Sequence, residues 1–237
     1  MLFRSLGHYG IQYFVPSSSN HCYRRTDSAW ANEYATPVTA HGAGFVSDHH
    51  VCLPPYVSFD LAADRYFGLN PTPTPPALDL PEVFGDDWST PLERADLDQL
   101  RAYFGRFAHL PTFLGHLNFR VGGKDHVLDV NREHRRGITF RVPRQSLMSA
   151  VEWNAFDDLL IGNFMQTTLH GDWWGRQGAD ALYPHFTPFI GKFGDNGGAY
   201  TPEEIRAYIL EYERRGFTDF TIDPPDAELR AALRPYV

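Results

Sequence analysis

His170-Gly171-Asp172 sets an imidazole and a carboxylate two residues apart. That is the spacing of a two-histidine, one-carboxylate iron site, which requires a second histidine from a distant part of the chain. His185 is close in sequence, and no motif marks His109, His116 or His126 for the role, so the local reading is a strand end followed by a Gly-Asp turn. Pro16-Ser17-Ser18-Ser19-Asn20-His21 places another histidine just after an apolar run, where a sheet would hold it at a loop rim. The position suits a metal ligand, but zinc needs three or four converging imidazoles or carboxylates, and a loop histidine bonded to backbone is the competing reading. His49 and His50 are neighbours, and on an extended segment neighbours point to opposite sides. Asp157 and Asp158 diverge on a helix, which does not make a carboxylate pair sharing a proton. Ser17, Ser18 and Ser19 lack the Gly-x-Ser-x-Gly setting of a nucleophile elbow, and the glycines between 191 and 198 lack the phosphate-cradling pattern. Trp173, Trp174, Tyr183, Phe186, Phe189 and Phe193 either line an apolar pocket or cap a core.

The elements that must position these groups follow from apolar periodicity. Leu117, Phe119 and Val121 alternate with polar residues up to Gly122-Gly123, and His126, Leu128 and Val130 alternate after it, which predicts a hairpin. Ile138, Phe140 and Val142 predict a third strand ending at Pro143, and 163–169 a fourth. Thr90-Pro91-Leu92-Glu93 reads as a capping box opening a helix over 91–108, and Ser146 as the cap of a helix running to Leu160. Thr201-Pro202-Glu203-Glu204 repeats the box ahead of the stripe Ile205, Tyr208, Ile209 and Tyr212, and a last short helix uses Leu229 and Leu233. Residues 171–199 read as an irregular wrap. In the first part, Ile11–Val15 reads as a strand, Asp27–Tyr34 as a short helix, and Tyr56–Asp60 with Arg65–Leu69 as a hairpin. The expected class is α+β, with a mixed sheet carrying helices on one face.

Five prolines within 71–81 make that stretch a Pro-rich linker between a first domain, 1–70, and a second, 82–237. The 237 residues are 43% hydrophobic, enough for one large core or two small ones, so a disordered chain is excluded. Lys and Arg number 21 against 29 Asp and Glu, a net charge of -8 with no basic run, so neither nucleic acid nor an anionic membrane is an expected partner. A small-molecule substrate or an apolar ligand is. Two cysteines, Cys22 and Cys52, supply neither a disulfide framework nor a thiolate zinc site, and the cytoplasm is the expected compartment.

Met1-Leu2-Phe3-Arg4-Ser5 runs abruptly into Gly7-His8-Tyr9-Gly10. Leu-Phe-Arg-Ser is also the translation of the end of a widely used sequencing adaptor, so the expectation is a reading frame truncated upstream; the alternative is a genuine start with a strand from Leu2.

Residues Gln12–Ser19, Tyr23–Trp30 and Leu53–Asp60 together resemble the late part of metallo-β-lactamase-fold hydrolases, in the branch that includes lactonase-like enzymes and is similar to CMP-N-acetylneuraminate hydroxylases. The resemblance implies that 1–70 is the C-terminal remnant of an αβ/βα metallo-β-lactamase fold, that His21 is its closing metal ligand, and that the parent uses zinc or iron. The family's H-x-H-x-D-H cluster is not in this sequence, so this chain is expected to be inactive alone and to bind zinc or iron weakly. Residues 91–172, in their order of helix, three amphipathic strands, helix and strand, are similar to the sterol carrier protein type 2 fold. That likeness implies an apolar tunnel between sheet and helices, with Arg141, Arg144 and Trp153 near its mouth. The alternative is a non-catalytic module that binds an apolar small molecule or a protein partner.

Overall fold

In the computed structural model, the residues described are 10–15, 22–35, 40, 47–53, 56–68, 77–161, 165–216 and 224–236. They form an α+β chain of two compact units, Met1–Leu80 and Pro81–Val237. His21, the one residue expected to bind metal, lies outside the described residues, as do 71–76 of the Pro-rich stretch.

In the first unit, β1 (Tyr13–Phe14) pairs in parallel with β2 (Val51–Cys52), and β3 (Val57–Asp60) pairs antiparallel with β4 (Arg65–Gly68), the hairpin expected from the sequence. The short helix expected over 27–34 is a 3-10 turn, Ala29–Glu33. It is held by the Asn32 side chain, which accepts from the Tyr23 N–H at 2.8 Å and donates to the Tyr23 carbonyl at 2.9 Å. Among this unit's described residues only Ala31 and Leu53 are buried apolar side chains, while Trp30, Tyr34, Leu61, Tyr66 and Phe67 are exposed.

The second unit contains the core. Helix α1 (Arg94–Phe104) leads to β5 (His116–Val121), β6 (Lys124–Asp129) and β7 (Gly137–Arg141), then α2 (Arg144–Glu152), α3 (Phe156–Ile161) and β8 (Gln166–His170). The strand order is β6-β5-β7-β8, with β5 and β7 parallel and the other two pairs antiparallel. Alternation sends Leu117, Phe119, Ile138 and Phe140 to one face, where Phe104 meets Phe119, and Phe156 and Phe186 meet Phe140, at centroid distances of 5.2–5.9 Å. His116, Asn118, Gly137, Thr139, Thr168 and His170 share the other face.

Two helix starts differ from the sequence reading. The α1 box is Glu93 with Asp96, because Thr90 instead donates its hydroxyl to Asp87 at 2.7 Å. Ser146 is already inside α2, and its N–H and hydroxyl bind the buried Asp86, a cap supplied from sixty residues away. The helix expected to run to Leu160 breaks at Asn154, whose φ of 52° ends α2 before α3 begins. The irregular wrap contains a 3-10 turn, Gly178–Leu182, and a π-helical turn, Pro188–Asp195, that buries Phe189, Ile190 and Phe193.

Helix α4 (Pro202–Arg214) starts with the expected Thr201–Glu204 box, and α5 (Pro224–Leu233) follows. Ile205 and Ile209 are buried, with Tyr208 and Tyr212 partly covered beside them. Replacing Ile209 by Val should therefore cost about 0.5–1.5 kcal/mol in chemical denaturation. An unchanged midpoint would show that the α4 stripe does not pack.

Candidate functional site

A cavity in the second unit has a volume of about 1010 Å³, enough for a ligand of drug or lipid size. One wall is β8 and the residue before it, through Met165, Thr167, Thr168 and Leu169. Consecutive strand residues face opposite sides of a sheet, so three in a row reach one cavity only where the strand presents its edge. β8 is the last strand in the order, and among the described residues its outer edge has no neighbouring strand. Asp157 and Leu160 come from α3, Leu182 and Tyr183 from the wrap, Pro188, Gly191 and Lys192 from the π-helical turn, and Leu229 from α5.

The local sequence explains this wall. In the π-helical turn, Phe189, Ile190 and Phe193 pin one side to the core and leave Pro188, Gly191 and Lys192 on the other. Gly191 passes so close to α3 that a Cβ there would lie 3.1 Å from the Asp157 carboxylate. Two charges mark the cavity lining: Asp157, which accepts a hydrogen bond from Asn196 at 2.9 Å, and Lys192, whose ammonium stands 5.0 Å from the Tyr212 ring centre. The rest of the lining is aliphatic apart from Tyr183 and the threonine hydroxyls. The arrangement can hold an apolar body and offer polar contacts at its rim; among the described residues it brings no nucleophile and base together.

Two clusters of largely buried polar groups sit elsewhere in this unit, around Asp195 and around His109. Asp195, at the end of the π-helical turn, accepts from the Tyr103 hydroxyl at 2.6 Å and from the Phe156 N–H at 2.9 Å. Burial raises its carboxyl above the usual carboxylate range, against the pull of those hydrogen bonds. His109 is buried against Phe189 at a ring distance of 3.6 Å and bonds Tyr236 at 2.7 Å through Nδ1. His185 stacks on Trp174 at 4.1 Å, and the His109 and His185 rings lie parallel 5.7 Å apart. Burial, with repulsion from His185, lowers His109 to about 3, and burial followed by the Arg136 and Arg176 charges lowers His185 to about 4.

The residues expected to do chemistry are scattered. His50 bonds the Ile11 carbonyl at 2.6 Å, a structural role, and the Asp172 carboxylate turns toward the Gly175 N–H at 3.3 Å. Asp157 and Asp158 do diverge, the first to the large cavity and the second to a smaller hollow with Trp153. Arg141, Arg144 and Trp153 do not line the large cavity. Arg141 reaches Gln166 and stacks over Trp88, Arg144 forms a two-pronged pair with Asp96 at 2.7 and 3.1 Å, and Trp153 is exposed beside Phe84. Among the described residues no three His, Cys, Asp or Glu side chains converge as a metal shell. The lining residues that the sequence reading missed, Lys192 and Leu160 among them, carry no motif; only the glycine at 191 beside an aromatic run hinted at a close approach.

Among the described residues no helix is long and apolar enough to cross a membrane. Comparison with protein-family models, with curated proteins and with solved structures finds no match for this chain.

Proposed function

We propose that the second unit is a non-catalytic module that binds an apolar small molecule in the cavity along β8. The observation that carries this reading is the cavity itself: about 1010 Å³, walled by Leu160, Met165, Leu169, Leu182, Pro188 and Leu229 and bounded by one carboxylate and one ammonium. The order of helix, three strands, helices and strand supports the finer reading of a sterol-carrier-like arrangement, and so does a cavity between a sheet edge and helices. Burying apolar ligand surface stabilises the complex by roughly 25 cal/mol per Å² before the costs of association.

Thr167 is exposed and lines the cavity, so Trp at this position fills the space without entering the core. The neutral fluorophore N-phenyl-1-naphthylamine should bind saturably, one per chain, and Thr167→Trp should weaken binding at least tenfold, about 1.4 kcal/mol, with the melting temperature unchanged. Equal affinity in the variant would remove the cavity as the binding site.

A second reading concerns the first unit, for which we propose the role of a remnant of a metallo-β-lactamase-fold hydrolase. It is supported by its sequence resemblance and by exposed large apolar side chains, Trp30, Tyr34, Leu61, Tyr66 and Phe67 among them, over a core of two described residues, Ala31 and Leu53. In that reading His21 joins zinc or iron ligands that belong to an upstream segment. A longer chain bearing the H-x-H-x-D-H motif should then bind metal tightly and lose affinity on His21→Ala; unchanged affinity in that variant would rule His21 out.

A further inference from the structure

The polar face of the sheet holds a pairing that no linear motif reveals. His116 on β5 and His170 on β8 both stand opposite Gly137 on the intervening β7, so the three residues lie in one row on one face. A Cβ on Gly137 would lie 2.1 Å from Cε1 and 2.2 Å from Nε2 of His116, which means that this imidazole edge occupies the space a side chain would fill. With that space open, the His116 and His170 ring centres are 5.9 Å apart and their planes 28° from parallel. Ion–nitrogen bonds of about 2.1 Å put two imidazoles bound to one ion roughly 4.5–6 Å apart, centre to centre.

His170 is also held in place. Its Nε2 bonds the Thr139 hydroxyl at 2.8 Å, and Thr139 in turn accepts from Asn118 Nδ2 at 3.2 Å; both partners are buried. An outer hydrogen bond of this kind fixes ring orientation, and metal binding at Nδ1 selects the tautomer in which Nε2 donates to Thr139. The fold thus supplies the distant histidine that His170 lacked in the sequence. It also withdraws Asp172, whose carboxylate faces the Gly175 N–H.

We propose that His116 and His170 form a two-histidine site for a borderline divalent transition-metal ion, with water completing the shell. Imidazole donors favour Cu²⁺ over Ni²⁺, and Ni²⁺ over the earlier first-row ions. Two protein ligands make the site labile, with micromolar rather than structural affinity.

The test is titration of the chain with Cu²⁺ in a non-coordinating buffer near pH 7, followed by electron paramagnetic resonance. The expected result is one equivalent bound in the micromolar range with a two-nitrogen imidazole signature. His116→Gln and His170→Gln should each weaken binding at least tenfold and leave one nitrogen in the spectrum, whereas Asp172→Asn should change nothing. Gly137→Ala keeps both histidines but displaces the His116 ring, and it should also weaken binding, provided circular dichroism shows a native fold; if it does not fold, the two glutamine variants decide. Unchanged affinity in His116→Gln and His170→Gln, or no saturable binding in the parent chain, would overturn the site.

Discussion

Lowering the pH from 7 to 4 should destabilise the second unit by about 3 kcal/mol through His109 alone. The imidazole is 3% exposed and held neutral, with its folded value lowered to about 3 from an ordinary 6.5. Between those two values the unfolded chain binds a proton that the folded chain refuses. The stabilisation is therefore complete above about pH 6.5 and is lost progressively as the pH falls toward 3. His185, lowered to about 4, acts in the same direction over a narrower window. Asp195 opposes them, because a carboxyl raised by burial favours the folded chain when protonated. Urea denaturation at pH 7, 5.5 and 4 measures the sum, and His109→Phe isolates the main contributor. The variant should lose less stability than the parent across that range. Parallel pH dependence in the two proteins would show that His109 titrates normally in the folded state.

Asp195→Ala should cost about 2–5 kcal/mol, a large share of the stability of a domain this size. Its carboxylate is the acceptor for the hydroxyl of Tyr103 and the N–H of Phe156, both in residues with almost no exposure. Removing it leaves two buried donors without a partner, and each such donor costs about 1–3 kcal/mol. Asp195→Asn keeps an acceptor oxygen and discards a charge that burial disfavours, so it should cost less than about 1 kcal/mol. Guanidinium denaturation of both variants checks the pair. If Asn is as damaging as Ala, the acceptor geometry is not what holds the π-helical turn to α1 and α3.

Much of the second unit was legible because its signals are local. Leu117, Phe119 and Val121 alternate without interruption, Gly122-Gly123 supplies the turn, and Thr201 with Glu204 forms the box that starts α4. Where the reading failed, a distant group had intervened. Asp87 takes the Thr90 hydroxyl and moves the start of α1 to Arg94, and Asp86 replaces the local cap that Ser146 was expected to provide. The break at Asn154 carries no Gly or Pro, so nothing local announces it. The parallel pairing of β5 with β7 was equally hidden, because β6 and a loop connect them in place of the usual crossover helix.

The cavity was the least legible feature, since its walls are drawn from α3, β8, the π-helical turn and α5 and depend on β8 being an edge. The aromatic run 173–193 was read as either lining an apolar pocket or capping the core, and most of its rings do the second: Trp173, Phe186, Phe189 and Phe193 are buried, and Tyr183 is the one that lines the cavity. The arginines expected near a mouth are absorbed by Asp96, Gln166 and Trp88. One carboxylate and one ammonium, Asp157 and Lys192, stand at the cavity from positions without a motif.

Ligand binding in the cavity is tested most directly by methyl NMR of the whole chain during titration with a long-chain alcohol such as 1-decanol. The expected result is saturable shifts at one equivalent, concentrated on the methyls of Leu160, Met165, Leu169, Leu182 and Leu229. Shifts that never saturate, or that centre on Ala150, Ala155 and Leu159 around the smaller hollow beside Phe84 and Trp153, would contradict it.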